Sequence, residues 1–263
     1  LDARANDGLF FCVRVSIREP SAMLPLTLST VAFFTPTMTL RESGDRISLY
    51  GSGPPVLFSS GLFGTMPRRI YSDLFKLLTR NVTMVVLDSP SPVTARTVAD
   101  VTATLAVDRV GFLSHSSLDS NILASAHISS AVLCDPVVLP PLTSVMAGTS
   151  PQFAPAFDVL AVQAQLAYDA DRPGIPAFIS PSCPHATVVR VPNVGHADLL
   201  DDMWADLGPR VLPWMSGGRR ATIPFEEWSY TGQRRTDADL REQRQLYRTR
   251  VATAAIRHMT VTG

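Results

Sequence analysis

The sequence predicts an α/β fold, a mostly parallel central sheet with helices on both faces. Three observations predict it. Short apolar runs rich in Val, Leu and Ile alternate with segments of helical spacing, the rhythm of strand and helix units in a sheet buried on both sides. Several of those runs stop abruptly at Asp, Ser, Gly or Pro, where loops would leave the sheet. The chain has 263 residues, 46% hydrophobic and 17% charged, enough to bury one large core and near the upper end of what a single core serves. Residues 38–263 therefore read as one domain that includes a C-terminal helix, with residues 1–37 as an N-terminal extension.

Taken in order, Met38 to Leu49, broken at Gly44-Asp45, predicts a hairpin, and Pro55 to Ser59 a short buried strand. Arg68 to Leu78 carries apolar residues at helical spacing. Thr83 to Leu87 predicts a buried strand stopped by Asp88-Ser89-Pro90, and Val98 to Val107 a helix. Val110 to Leu113 reads as a strand feeding a cluster of small polar residues centred on Ser116, with a helical pattern over Asn121 to His127. Ala131 to Cys134 is the next strand, stopped by Asp135-Pro136. Prolines and small residues from Pro136 to Pro155 predict an irregular connection over the mouth of the sheet. Phe157 to Leu166 and Ala186 to Val191 are the last strands, and Asp237 to Met259 predicts a closing helix with its Arg and Gln exposed.

Composition excludes several classes of function. With 23 basic and 23 acidic residues, the chain has no field to steer nucleic acid or anionic membranes. The apolar stretch Met23 to Phe34, bracketed by Pro25 and Pro36, is too short to span a bilayer and reads as a strand or packed arm. Cys12, Cys134 and Cys183 are widely spaced, without metal-ligand intervals, and read as reduced and buried ahead of one disulfide with a leftover thiol. No metal or cofactor is expected. Leu1 stands first in place of methionine, which fits processing or trimming and leaves an organelle or secreted location open. Asn81-Val82-Thr83 has the form of a glycosylation acceptor but abuts a strand and carries no weight. Neither a G-x-G-x-x-G nor a G-x-x-x-x-G-K-[ST] pattern occurs, which speaks against a nucleotide-binding module.

Chemistry concentrates in two stretches, GFLSHSSLDS from Gly111 to Ser120 and GHADLLDD from Gly195 to Asp202. A serine hydroxyl is a poor nucleophile at neutral pH. It needs a histidine base, a carboxylate that fixes the imidazole tautomer, and N–H donors for the oxyanion. In an open parallel sheet such groups converge at the carboxyl ends of strands. Ser116, Asp135 and His196 each follow a predicted strand, in the order nucleophile, acid, base. The Leu62 amide, in the glycine-bearing loop after Ser59, and the Ser117 amide, at the start of the following helix, are the candidate oxyanion donors.

These stretches resemble the chlorophyllase branch of the α/β-hydrolase fold and its esterase relatives. Ser114-His115-Ser116-Ser117-Leu118-Asp119 can be laid on the family's G-H-S-x-G-G elbow without a gap. Asp135-Pro136-Val137 matches its Asp-Pro-Val strand end, and Phe58-Ser59-Ser60-Gly61 corresponds to its F-x-H-G oxyanion loop. Gly195 to Asp202 matches its G-H-x-D-x-L-D-D loop position for position, and that loop is the specific part. The resemblance covers roughly residues 38 to 205, weakly between 140 and 175, together with the terminal helix. It implies an α/β-hydrolase fold and a serine-dependent carboxylic-ester hydrolase for an apolar ester such as the phytyl ester of chlorophyll. The apolar cover from Val137 to Phe157, with Met146 and Phe153, fits a greasy mouth.

The chain departs from that pattern at Ser114, Leu118 and Asp119, where the family has glycines, and at Ser60, where it has histidine. Elbow glycines let helix and strand approach closely, and Leu118 is the departure least suited to that. The alternative reading is therefore a catalytically inactive protein of this fold with a binding or structural role. Residues 1–37 and Gly217 to Arg235, the latter with Trp228 and Tyr230, would supply its protein contacts. Asp169 and Asp171 compete with Asp135 for the acid, and Ser114, Ser117 and Ser120 compete with Ser116 as turn formers or caps. His115, His127, His185 and His258 read as structural, and Asp198, Asp201 and Asp202 as caps of the helix beginning at Met203-Trp204 or as braces of the histidine loop.

Overall fold

The computed structural model describes residues 36–139, 155, 157–164, 186–192, 194–205 and 237–261, with the backbone alone at 62, 63, 117, 118, 120, 137–139, 237 and 261. Eight strands form its sheet: β1 (Thr37–Thr39), β2 (Arg46–Gly51), β3 (Pro55–Ser59), β4 (Thr83–Leu87), β5 (Val110–Asp119), β6 (Ile128–Leu139), β7 (Asp158–Ala164) and β8 (Ala186–Val191). Their order is β1-β2-β4-β3-β5-β6-β7-β8. Strands β3 to β8 pair in parallel, and β2 lies antiparallel between β1 and β4. This is the α/β-hydrolase fold expected from the sequence.

Alternate residues of each central strand face opposite layers. Val56 and Phe58, Met84 and Val86, and Val132 and Cys134 enter one core with Leu74, Phe75 and Leu78 of α2 (Ser72–Leu78). Tyr247, Val251 and Ala255 of the terminal helix join them. Leu57, Val85, Ala131 and Leu133 enter the other core with Val98 and Val101 of α3 (Ala95–Leu105). Burial on both faces is why these strands read as unbroken apolar runs and not as alternation.

The predicted hairpin is present, closed by the Leu40 N–H to Asp45 carbonyl bond at 2.7 Å, with Gly44 at φ +76° in its turn. Arg68 to Leu78 is not one helix. A 3-10 turn over Arg68–Tyr71 precedes α2, because the carboxylate of Asp201 accepts the N–H groups of Ser72 and Asp73 and caps a new helix there. The helix expected from Val98 begins three residues earlier, where Thr94 and Thr97 form a capping box, and ends at Ala106 in the left-handed region. The terminal helix, Asp237–Val261, is as expected in extent but not in exposure, since Arg244 and Arg248 on it are buried. Among the described residues no helix is long and apolar enough to cross a membrane. Cys134 is a buried free thiol. The expectations for Cys12, Cys183, His185, Asp169, Asp171, the arm Met23–Phe34, the cover around Met146 and Phe153, and Gly217 to Arg235 lie outside the described residues.

Candidate active site

The strand order reverses between β3 and β5, since the chain steps from β3 to β4 on one side and returns to β5 on the other. The carboxyl ends of β3 and β5 therefore flank the crevice where ligands bind in open α/β sheets. Ser59 pairs with Ser114 across them. The loop carrying Leu62 and the segment carrying Ser116 thus leave the sheet side by side.

Ser116 does not close a strand, as the sequence reading expected, nor does Asp135. Both strands run on, paired from Ser117 with Val137 to Asp119 with Leu139. Between the His115–Cys134 and Ser117–Val137 pairs, β5 skips one residue, Ser116, and β6 skips two, Asp135 and Pro136. The skipped serine and aspartate both have positive φ, +67° and +45°. A bulge in each strand takes these two residues out of the ladder at the same level of the sheet. Non-glycine residues there are strained, a state that persists where the surroundings over-determine it.

The helix expected over Asn121 to His127, with Ser117 near its start, is also replaced. Ser117 to Asp119 remain strand, and a 3-10 helix follows over Ser120–Ala124, its Asn121 N–H capped by the Asp119 carboxylate at 2.9 Å. The residue types explain this. Leu118 and Asp119 occupy places where glycines would let a helix leave against the strand, and Asp119 acts instead as a cap one turn later. Any anion stabilisation by the Ser117 amide must come without a helix dipole behind it.

His196 starts a 3-10 turn, His196–Leu199, after β8. Its loop is pinned from several sides. Asp198 accepts the Gly195 N–H at 2.7 Å and pairs with Arg244 of the terminal helix, here α4 (Asp237–Val261), at 2.9 Å. Asp201 caps α2 and Asp202 pairs with Arg248 at 2.7 Å. The three aspartates are therefore braces, Asp201 for a helix far away in sequence. So held, the Nδ1 of His196 lies 3.6 Å from Asp135 Oδ2, with the carboxylate wholly buried. That Nδ1 is buried without a hydrogen-bond partner among the described residues. The gap is slightly longer than a hydrogen bond, a common state of catalytic pairs before substrate tightens them. Asp135 is fixed on its other sides by the Ala164 N–H and by the Tyr247 hydroxyl at 3.1 Å.

In the loop after β3, Ser60 donates its hydroxyl to the Met66 carbonyl at 2.7 Å and so closes the turn. The four-residue helix α1 (Gly61–Gly64) follows, so the Leu62 N–H falls in a first turn, where amides have no intrahelical partner. A Cβ at Gly61 would lie 2.8 Å from Met66 Sδ and 3.3 Å from the Tyr71 hydroxyl, so a larger residue there would displace the end of the Met66 side chain. Beside this loop lies a cleft of about 350 Å³, walled by Phe58, Met66, Val86 and Val93, with Ser60 and Arg68 among its polar groups.

His115, Asp135 and His196 bring three ligand-type atoms within 4.8 Å of one another. They do not make a metal centre as they stand, because both ring nitrogens of His115 are already hydrogen-bonded, one to the Tyr71 hydroxyl at 2.8 Å and one to the His196 carbonyl at 3.0 Å. Burial first, then the neighbouring His196, hold the His115 ring well below the usual histidine value. It is a neutral, fully bonded group. Sequence reasoning passed over Tyr71, Tyr247 and Arg244 entirely, because each lies far along the chain from the groups it holds.

No family model matches this chain, and no curated protein matches it. Solved structures do. A bacterial membrane phospholipase A described as a virulence factor is 14% identical, with 68% of this chain and 86% of that one covered at a TM-score of 0.46. An alpha/beta hydrolase from Sphaerobacter thermophilus is 15% identical over 61% and 93%, at 0.40. An alpha/beta fold hydrolase from Bacillus anthracis is 10% identical over 64% and 95%, at 0.44.

Proposed function

We propose that the chain is a serine-dependent carboxylic-ester hydrolase acting on an apolar ester, in the manner of the chlorophyllase-like enzymes its motifs resemble. The observation that carries this reading is a paired bulge that takes Ser116 and Asp135 out of adjacent strands at one level of the sheet, with His196 3.6 Å from that aspartate. Ser116 and Asp135 are lifted together from adjacent strands, and His196 is held against Asp135 by a loop braced from α2 and α4. A packed fold alone has no need of a left-handed serine opposite a left-handed aspartate.

In this mechanism His196 removes the Ser116 proton as the hydroxyl attacks the ester carbonyl, and Asp135 holds the imidazole and balances the imidazolium. The amides of Leu62 and Ser117 receive the oxyanion. His196 then gives its proton to the departing alcohol, and water activated by the same ring releases the acid. The residues present call for neither metal nor cofactor. The cleft beside Ser60, where Phe58, Met66, Val86 and Val93 stand beside Arg68, Arg69 and Asp88, offers an apolar substrate group a surface near the loop that carries Leu62.

One observation favours a second reading, a protein of this fold that binds without hydrolysing. The strand continuing through Ser117 and Leu118 leaves the oxyanion without a helix N-terminus. The deciding experiment is hydrolysis of p-nitrophenyl esters of short and long chains by the wild type and by Ser116→Ala, with a serine-directed phosphonate mapped by mass spectrometry. Turnover and labelling, both lost in a folded Ser116→Ala, support the esterase. Neither, in a folded wild type, favours the binding protein.

A further inference from the structure

A chain of buried hydrogen bonds joins the loops that the esterase reading uses. The Gly61 N–H donates to the Tyr71 hydroxyl at 2.9 Å, and that hydroxyl meets His115 Nδ1 at 2.8 Å. His115 Nε2 meets the His196 backbone carbonyl at 3.0 Å. The directions follow from the ends. A carbonyl only accepts, so Nε2 carries the proton. In a neutral ring Nδ1 is then the acceptor, and the Tyr71 hydroxyl, which already accepts from Gly61, donates to it. Every donor and acceptor is used once, with no freedom left in the tautomer.

The rings reinforce the bonds. His115 lies flat against His196, centroids 4.7 Å apart at 28°, and Tyr71 packs edge-on to His115 at 5.6 Å. Tyr71 is wholly buried and His115 is 2% exposed. Gly61 precedes Leu62, His115 precedes Ser116, and the carbonyl belongs to His196 itself. Gly61, His115 and His196 thus each lie within one residue of a group proposed to react, and Tyr71 joins the first two.

We propose that Tyr71 and His115 are positioning residues that set the height and tilt of the His196 ring and lock it to the oxyanion loop. The proposal rests on the esterase reading. Asp198, Asp201 and Asp202 brace the histidine loop through other bonds, to α2 and α4, and Asp135 meets the ring at Nδ1. His115 supplies both a side-chain bond to the His196 carbonyl and a ring stacked on the imidazole.

The test compares wild type, His115→Gln, His115→Phe and Tyr71→Phe in p-nitrophenyl ester hydrolysis, alongside nitrogen-15 NMR of the histidine rings. Gln keeps an N–H for the His196 carbonyl; Phe keeps the ring but loses both bonds. The expected result is a fall in kcat of about tenfold for His115→Phe, the scale of one net hydrogen bond, with KM within twofold and most of kcat recovered in His115→Gln. Tyr71→Phe should lower kcat in the same sense. NMR should show His115 as the neutral Nε2–H tautomer in the wild type. An Nδ1–H tautomer, equal kcat in the Gln and Phe variants, or a change confined to KM overturns the proposal. A folded wild type with no turnover and no labelled Ser116 sinks the esterase reading and the positioning role with it, while the tautomer still reports whether the hydrogen-bonded chain exists.

Discussion

Arg244 and Asp198 form an ion pair at 2.9 Å in which neither side chain reaches solvent to more than 2%. The pair ties the terminal helix to the turn that presents His196, and Asp198 uses its second oxygen on the Gly195 N–H. Removing one partner of such a pair takes a counterion away from a buried charge. Arg244→Met should therefore lower stability by about 3–5 kcal/mol, and Arg244→Met with Asp198→Asn should recover part of the loss. Urea denaturation with unchanged m-values checks both, and a loss under 1 kcal/mol would show that the remaining partners of Asp198 compensate its charge.

Ser116 is held at φ +67°, a conformation that costs a residue with a Cβ about 1–2 kcal/mol. Glycine would not bear that cost. Ser116→Gly should raise stability by about 1 kcal/mol, after allowing for the greater freedom of glycine in the unfolded chain, while removing the proposed nucleophile. Ser116→Val should lose stability relative to Ser116→Ala. Thermal and urea unfolding of the three variants would rank them, and a ranking of Ala above Gly would mean that the bulge relaxes when the serine is absent.

Much of this fold was legible because its signals are local. Val56, Met84 and Val132 sit in runs whose ends are marked by glycine, proline or aspartate, and strand placement followed for β3, β4 and β8. The triad candidates were legible for the same reason, each standing at a break in an apolar run. Illegible features depend on partners distant in sequence. Asp201 caps α2 across 129 positions, Tyr247 reaches Asp135 across 112, and His115 reaches His196 across 81. The bulge itself was hidden because Ser117-Leu118-Asp119 has no strand periodicity of its own. It is strand because β6 continues alongside it.

Asp135 faces His196 at 3.6 Å, and the alternatives raised by the sequence, Asp169 and Asp171, are separable from it by mutation. If Asp135 orients the imidazole, Asp135→Asn places a wrong tautomer opposite Nδ1 and should lower kcat by about 10⁴ with little change in KM. Asp169→Asn and Asp171→Asn should each stay within threefold of wild type. Tyr247→Phe, which strips one donor from the Asp135 carboxylate, should fall between them, with a loss of about tenfold. Steady-state kinetics on one p-nitrophenyl ester suffices, and a collapse in Asp169→Asn with Asp135→Asn near wild type would reassign the acid.

The pH dependence of stability follows from His115. Its ring is buried, neutral and stacked on His196, and its pKa lies well below the ordinary 6.5. In the unfolded chain the same ring binds a proton below about 6.5, so between the folded and unfolded values the unfolded state holds more protons. Stability is therefore fully present above pH 6.5 and is lost as pH falls, at about 1.4 kcal/mol per pH unit from this one group. Groups elsewhere titrate as well, so the informative quantity is a difference. His115→Gln has no proton to bind at this position, and its stability curve should be flatter than the wild type's by that slope between pH 6 and pH 5. Urea denaturation of both proteins at pH 7.5, 6 and 5 measures it. Parallel curves would mean that His115 accepts a second proton in the folded protein, and the bond between Nδ1 and Tyr71 would have to be drawn with Nδ1–H donating to the hydroxyl.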